Sequence, residues 1–156
     1  RMLKALEKAG VNRNAPPIVV FDTFCKAHKG FGADPQHLTT PSRLSQIYPR
    51  YPGINFVGAH MGGLMADFTD LIKYLIPAPN FYLDTSNAAH TLKKGQFIEL
   101  LKLHGPSNVL FGTDWPWCTH RDEIPLIRSL LQGSGFSDSD CENVFLDNAL
   151  RLLKMR

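Results

Sequence analysis

Four polar residues stand where apolar runs stop. Asp22 follows IVVF, His60 follows VGA, Asp84 with Thr85 and Ser86 follows NFYL, and Asp114 follows VLFGT. Histidine and carboxylate side chains move protons near neutral pH and ligate divalent cations, so a place where several converge suits general acid–base or metal-assisted chemistry. Each also has a plain structural use. A buried polar group without a partner costs on the order of 2–7 kcal/mol, so these residues need caps or pairs wherever they lie. Asp84 can cap the segment after it, and Asp114 can accept backbone N–H groups in its own turn. Met61-Gly62-Gly63 after His60 lets the backbone approach a ligand closely or turn sharply into a helix.

The elements that must position these groups are readable from period and punctuation. PIVVFD (17–22), INFVGA (54–59), NFYLDT (80–85) and NVLFGT (108–113) are short runs rich in β-branched and aromatic residues. The first follows a Pro pair and is expected to be a strand buried on both faces. Helical stretches lie between them. A first one ends at Gly10; Pro41 to Ile47 opens on a Thr40 N-cap; Leu64 to Leu75 ends before Pro77; Lys94 to Leu103 ends at His104-Gly105. Asp122 to Leu131 and Ser139 to Lys154 follow the fourth strand. His60, Asp84 and Asp114 are separated by 24 and 30 residues, room for a strand, a turn, a helix and a return loop, so the strands should be parallel. All carboxyl ends of a parallel sheet lie on one side, where α/β barrels and open sheets hold their ligands. The long polar loop KAHKGFGADPQHLTT (26–40) has the length of a functional lid or a disordered segment.

Composition narrows the class. The 156 residues carry a formal charge of +3 with lysines and arginines dispersed, which argues against nucleic acid as a partner. Apolar runs stop within about ten residues, short of the roughly 20 needed to span a bilayer, so no membrane partner is expected. Cys25, Cys118 and Cys141 are odd in number and lack a CxxC spacing, which fits a reducing cytoplasm better than a disulfide framework.

Together, FVGAHMGG (56–63), FYLDTS (81–86), FGTDWPW (111–117), the closing DNALRLL (147–153) and the TPSRL helix start at 40–44 resemble the amidohydrolase-related family of TIM-barrel enzymes, which includes aminocarboxymuconate-semialdehyde decarboxylase. The resemblance implies that residues 1–156 are the C-terminal half of a (β/α)₈ barrel, strands five to eight. It implies a hydrolase or carbon–carbon lyase (decarboxylase) acting on a small organic acid, amide or ester with a divalent metal, zinc foremost and manganese as the substitute. Asp114 takes the place of the strand-eight metal-binding carboxylate, and His60 that of the strand-six acid–base histidine. Trp115 and Trp117 would wall the pocket. Where the family has a strand-five metal-binding His this chain has Asp22, itself able to ligate zinc or manganese. The His-x-His pair of strand one is absent. His28, in the long loop, is an alternative ligand.

Other readings stay open at this level. A metal-independent lactonase-type hydrolase using His and Asp alone is one, and a degenerate barrel that only binds a ligand is another. Arg43, on the ligand side, either pairs bidentately with a substrate carboxylate or makes a surface salt bridge. Cys118 reads as a partly buried inert thiol with no base against it, and His90 and His104 read as solvent-facing. The chain begins RMLKALEKAG without an initiator Met, as expected of a piece of a longer protein. Half a barrel leaves two open sheet edges and an uncovered inner face, so the chain by itself is expected to be a poorly stable fragment or a homodimer.

Overall fold

The computed structural model describes residues 1–13, 15–26 and 34–155. Four parallel strands, β1 (Ile18–Phe21), β2 (Asn55–Gly58), β3 (Phe81–Asp84) and β4 (Val109–Leu110), lie side by side in chain order, with Val20 opposite Val57, Val57 opposite Tyr82, and Asp84 opposite Leu110. The flanking helices are α1 (Met2–Arg13), α2 (Pro41–Leu44), α3 (Phe68–Tyr74), α4 (Ala88–Thr91), α5 (Lys94–His104), α6 (His120–Gln132), α7 (Asp138–Glu142) and α8 (Asn148–Leu152). Parallel strands in sequential order joined through helical crossovers are part of a (β/α) barrel wall. No described helix is long and apolar enough to cross a membrane.

The core lies between the sheet and its helices. Phe56, Phe81 and Leu83 meet Leu71, Leu75, Phe97, Leu100, Leu101 and Ile127 there, all fully buried. Phe81 stacks on Tyr48 at 4.1 Å between centroids, and the Tyr48 hydroxyl donates to the Ile76 carbonyl. Asn80 donates to the carbonyls of Tyr48, Tyr51 and Ile54, satisfying the irregular chain ahead of β2.

Several elements differ from their sequence-based boundaries for identifiable reasons. Gly10 does not end α1. It sits inside the helix where a Cβ would meet the Pro17 ring at 2.3 Å, so it is a point of close approach rather than a cap. The helix expected from Leu64 begins at Phe68, because Leu64 donates to the Thr23 carbonyl and bridges Phe24, extending the sheet at its carboxyl end. β4 stops at Leu110 because the Phe111 N–H turns to the Val144 carbonyl at 2.9 Å. That carbonyl lies in a π-helical segment, Asn143–Asp147, between α7 and α8, where the widened ladder can offer an acceptor to the strand. β1 is not buried on both faces. It is an edge strand, and Val20 is 61% exposed.

Gly62 closes a left-handed run that begins at His60 and Met61, with φ of 57°, 51° and 81° in turn. A Cβ at Gly62 would lie 2.2 Å from Leu75 Cδ1 and 3.1 Å from Leu83 Cδ2, both in the core. Gly62→Ala therefore combines an unfavourable φ with overpacking, and is expected to destabilise the chain by about 2 kcal/mol. Urea denaturation should show a lower midpoint with an unchanged slope.

Candidate active site

A cleft of about 1060 Å³ opens at the carboxyl ends of the strands. Its lining includes Asp22, His60, Asp84, Ser86, Asn87 and Asp114, with Val20, Thr91, Trp117 and Cys118 among the walls. Three of these polar groups sit in left-handed turns after strands. His60, Asn87 and Asp114 all have positive φ, 57°, 56° and 62°, as does Met65 on the same lining. Left-handed non-glycine residues cost of order 1–3 kcal/mol each and persist only where surrounding contacts hold them. Here those contacts are clamps between neighbouring strand ends. Thr23 bonds closely to the Ala59 carbonyl, and Thr85 both donates to the Gly112 carbonyl and accepts from the Gly112 N–H at 3.1 Å.

His60 is buried and held on every side. Asp84 Oδ1 accepts the His60 N–H and the Ser86 N–H, each at 3.0 Å, and is closely bonded by the Ser86 hydroxyl. Because the Ser86 proton is committed to Asp84, the Ser86 oxygen faces His60 Nδ1 as an acceptor at 3.0 Å, and the Ser86 carbonyl does so at the same distance. Nδ1 must then carry a hydrogen. The nitrogen left for chemistry is Nε2, 3.2 Å from Asp22 Oδ1. In the neutral ring it presents a lone pair beside that carboxylate; once protonated it donates to it. Asp114, at the end of β4, accepts from Asn87 Nδ2 at 3.1 Å through Oδ2.

The candidates named from sequence are thus distributed as follows. Asp22, His60 and Asp114 line one cleft, and Trp117 lines it as well. Trp115 lies outside the lining, and the two indoles are 69% and 67% exposed, so in this chain they keep most of their surface in water. Arg43 is exposed and off the lining, its Nη1 donating to the Leu38 carbonyl at 2.7 Å. His28 lies outside the described residues. Asp84 caps the segment after it through the Ser86 N–H, and reaches across to the preceding strand's histidine as well. Asp114 takes an asparagine side chain as partner. Ser86 joins the cleft with the polar strand end it was grouped with, while Asn87 goes unnamed in the sequence reading; its signal is the run DTSN, three further polar residues where one cap suffices.

Of the two histidines read as solvent-facing, His90 is exposed and His104 is not. His104 is buried at the end of α5, edge-on to Phe81 at 5.8 Å, because that helix end packs under β3. His90 sits 2.6 Å from the buried carboxylate of Glu123. Among the described residues one set of three has its ligand atoms all within 4.8 Å of one another, and it is His90, Cys118 and Glu123. Asp22, His60 and Asp114 share a cleft without sharing such a point.

The amidohydrolase family model matches residues 17–155, the stretch holding all four strands and the cleft. The chain belongs to the amidohydrolase family. This amidohydrolase chain superposes on a TIM-barrel protein of Bordetella bronchiseptica with a TM-score of 0.72 at 21% identity, covering 99% of this chain and 50% of that one. An amidohydrolase of Burkholderia multivorans with bound zinc matches at TM-score 0.68 and 16% identity, over 97% of this chain and 56% of the other. A dihydroxybenzoic acid decarboxylase of Polaromonas sp., with bound manganese and the inhibitor 2-nitroresorcinol, matches at 0.50 and 23%, over 74% and 39%. The amidohydrolase chain spans about half the length of these structures. Among curated proteins no sequence matches.

Proposed function

We propose that these 156 residues form the acid–base half of an amidohydrolase-type active site, in an enzyme that hydrolyses or decarboxylates a small organic acid, amide or ester. The observation that carries this is the fixed tautomer of His60: Asp84 and Ser86 hold its Nδ1 side, leaving Nε2 turned to Asp22 in the strand-end cleft. A histidine so oriented transfers a proton at one defined atom. Asp114, steadied by Asn87 in the same cleft, is proposed as a second participant.

The similar structures with zinc and manganese support a divalent cation in the complete site, with Zn²⁺ as the leading ion and Asp114 and Asp22 as its carboxylate ligands from this half. The side chains present do not make a ligand set by themselves. Asp22 and His60 face each other, Asp114 is turned to Asn87, and the three do not form a group at ligating distance. The remaining ligands are therefore assigned to the half of the barrel wall that these four strands do not build. That half is supplied by a further segment or by a second copy of the chain. The exposed edge residues Ile18 and Val20 support such a covering. In the completed barrel Trp115 and Trp117 are proposed to lie over the substrate, and Arg43 to meet its carboxylate. The three unpaired thiols support a cytoplasmic setting.

The test is turnover of a panel of hydroxybenzoates, lactones and amides by the purified protein before and after chelation. A loss of at least tenfold on metal removal, reversed by Zn²⁺ or Mn²⁺, is the expected result. Full activity after chelation would instead favour the metal-independent lactonase-type reading, to which the direct Asp22–His60 pair lends support. Binding without turnover would leave a ligand-holding barrel.

A further inference from the structure

A second cluster lies at the rim of the cleft, where α4 meets the start of α6. His90 is on α4, Glu123 is in the first turn of α6, and Cys118 is in the turn ahead of that helix. Glu123 is 1% exposed, yet one of its carboxylate oxygens, Oε2, has no hydrogen-bond partner among the described residues; the other faces His90 Nε2 at 2.6 Å. Leaving a buried acceptor unsatisfied costs about 1–3 kcal/mol, more for a charged group, so such an oxygen calls for a further partner. The neighbouring thiol is the nearest candidate to complete a cation site. Cys118 is half-buried and lines the cleft, and the ligand atoms of all three residues fall within 4.8 Å of one another.

We infer that His90, Cys118 and Glu123 form a zinc site at the cleft rim, with a fourth position opening toward the cleft. Imidazole nitrogen, thiolate sulfur and carboxylate oxygen are the three donor types that zinc takes in proteins, and three protein ligands with an open fourth position is the pattern of exchangeable sites. With bonds of about 2.0–2.3 Å, the edges of a tetrahedral zinc shell are about 3.3–3.8 Å. The His90–Glu123 pair, 2.6 Å apart, must therefore part by a little under about 1 Å, and the sulfur, within 4.8 Å of both, must close wherever it stands beyond that edge length. His90 is 48% exposed, so its ring can move outward. Binding breaks the Cys118 S–H bond and forms a Zn–S bond; the thiol proton leaves to solvent, with any proton on His90 Nε2. Burial, and then the carboxylates of Glu123, Asp114 and Asp122, push the Cys118 thiol up from its ordinary range. The local potential is thus one that opposes a bare thiolate and that a dication reverses. The site shares no residue with Asp22, His60 and Asp114, so it stands whether or not those groups hold a metal.

Cobalt distinguishes the two places, because only a thiolate ligand gives a sulfur-to-cobalt charge-transfer band. The full chain carrying Cys25→Ser, stripped of metal, is titrated with Co²⁺ alone and then with Zn²⁺. One equivalent of Co²⁺ should raise the band and Zn²⁺ should abolish it. The band should persist in Asp114→Asn and disappear in Cys118→Ser, and His90→Ala should weaken Zn²⁺ binding at least tenfold. No band in the parent chain, a band surviving Cys118→Ser, or undiminished affinity in His90→Ala would each overturn the assignment. Cys118 and His90 both reach the surface, so these variants avoid the folding risk of replacing buried Glu123.

Discussion

His60→Gln is expected to lower kcat/KM by between about a hundredfold and ten-thousandfold, the range for removing a positioned general acid or base. Glutamine keeps much of the size of the ring and can donate to Asp22, but it has no atom that takes up and releases a proton near neutral pH. The side chain it replaces is fixed on its far side: Asp84 takes the Ser86 proton, the Ser86 oxygens take the Nδ1 hydrogen, and Nε2 is left beside Asp22 at 3.2 Å. Two further variants separate proton transfer from mere packing. Ser86→Ala loosens the tautomer without removing the ring, so its loss should be smaller than that of His60→Gln and fall on kcat rather than KM. Asp22→Asn keeps the shape but not the charge beside Nε2, and its loss should likewise be smaller than that of His60→Gln. A His60→Gln enzyme retaining activity within about threefold would remove His60 from the chemistry.

Acidification is expected to destabilise the fold by about 3 kcal/mol through His104 alone. Burial pushes this imidazole down from 6.5 to about 4, only partly offset by the nearby Leu75 backbone, with which neither ring nitrogen makes a well-formed hydrogen bond. The sign follows from which state binds the proton. Below about pH 6.5 the unfolded chain protonates this ring while the folded chain keeps it neutral against Phe81, so unfolding takes up a proton and is favoured as pH falls. The stabilising difference is whole above about pH 6.5, shrinks through the window down to about 4, and shrinks no further below it. His104→Leu removes the ring and should cancel that share of the pH dependence. Urea midpoints at pH 7 and pH 4 would show the wild type losing more stability than the variant by about 3 kcal/mol. Equal losses in the two proteins would show that His104 is not the group responsible.

The architecture was legible because it rests on local, repeated signals. The apolar runs at 17–22, 54–59, 80–85 and 108–113 became β1 to β4, each shortened where a polar residue or a neighbouring helix took over the backbone. Spacing required parallel connections, and parallelism alone carried Asp22, His60, Asp84 and Asp114 to one rim. Local chemistry read less well wherever a remote partner decided it. The carboxyl end of α5 reads as solvent-facing in sequence, but β3 lies against it, and so His104 is buried beside Phe81. Gly10 has the signature of a helix end, yet the space it leaves is filled by Pro17.

Sequence by itself determined which residue types stand at the carboxyl ends of four parallel strands, because dense β-branched and aromatic runs and crossover length are properties of consecutive chain. It also determined membership of the amidohydrolase family, since the motifs after the strands are contiguous. The tertiary structure decided which of those residues meet. Asp84 fastens His60 from the next strand, Asn87 donates its side-chain amide to Asp114, and His90, Cys118 and Glu123, scattered over 34 positions, gather at one point. Such pairings depend on sheet register and on the left-handed turns after β2, β3 and β4, which are set by packing between distant segments and leave no periodic mark along the chain.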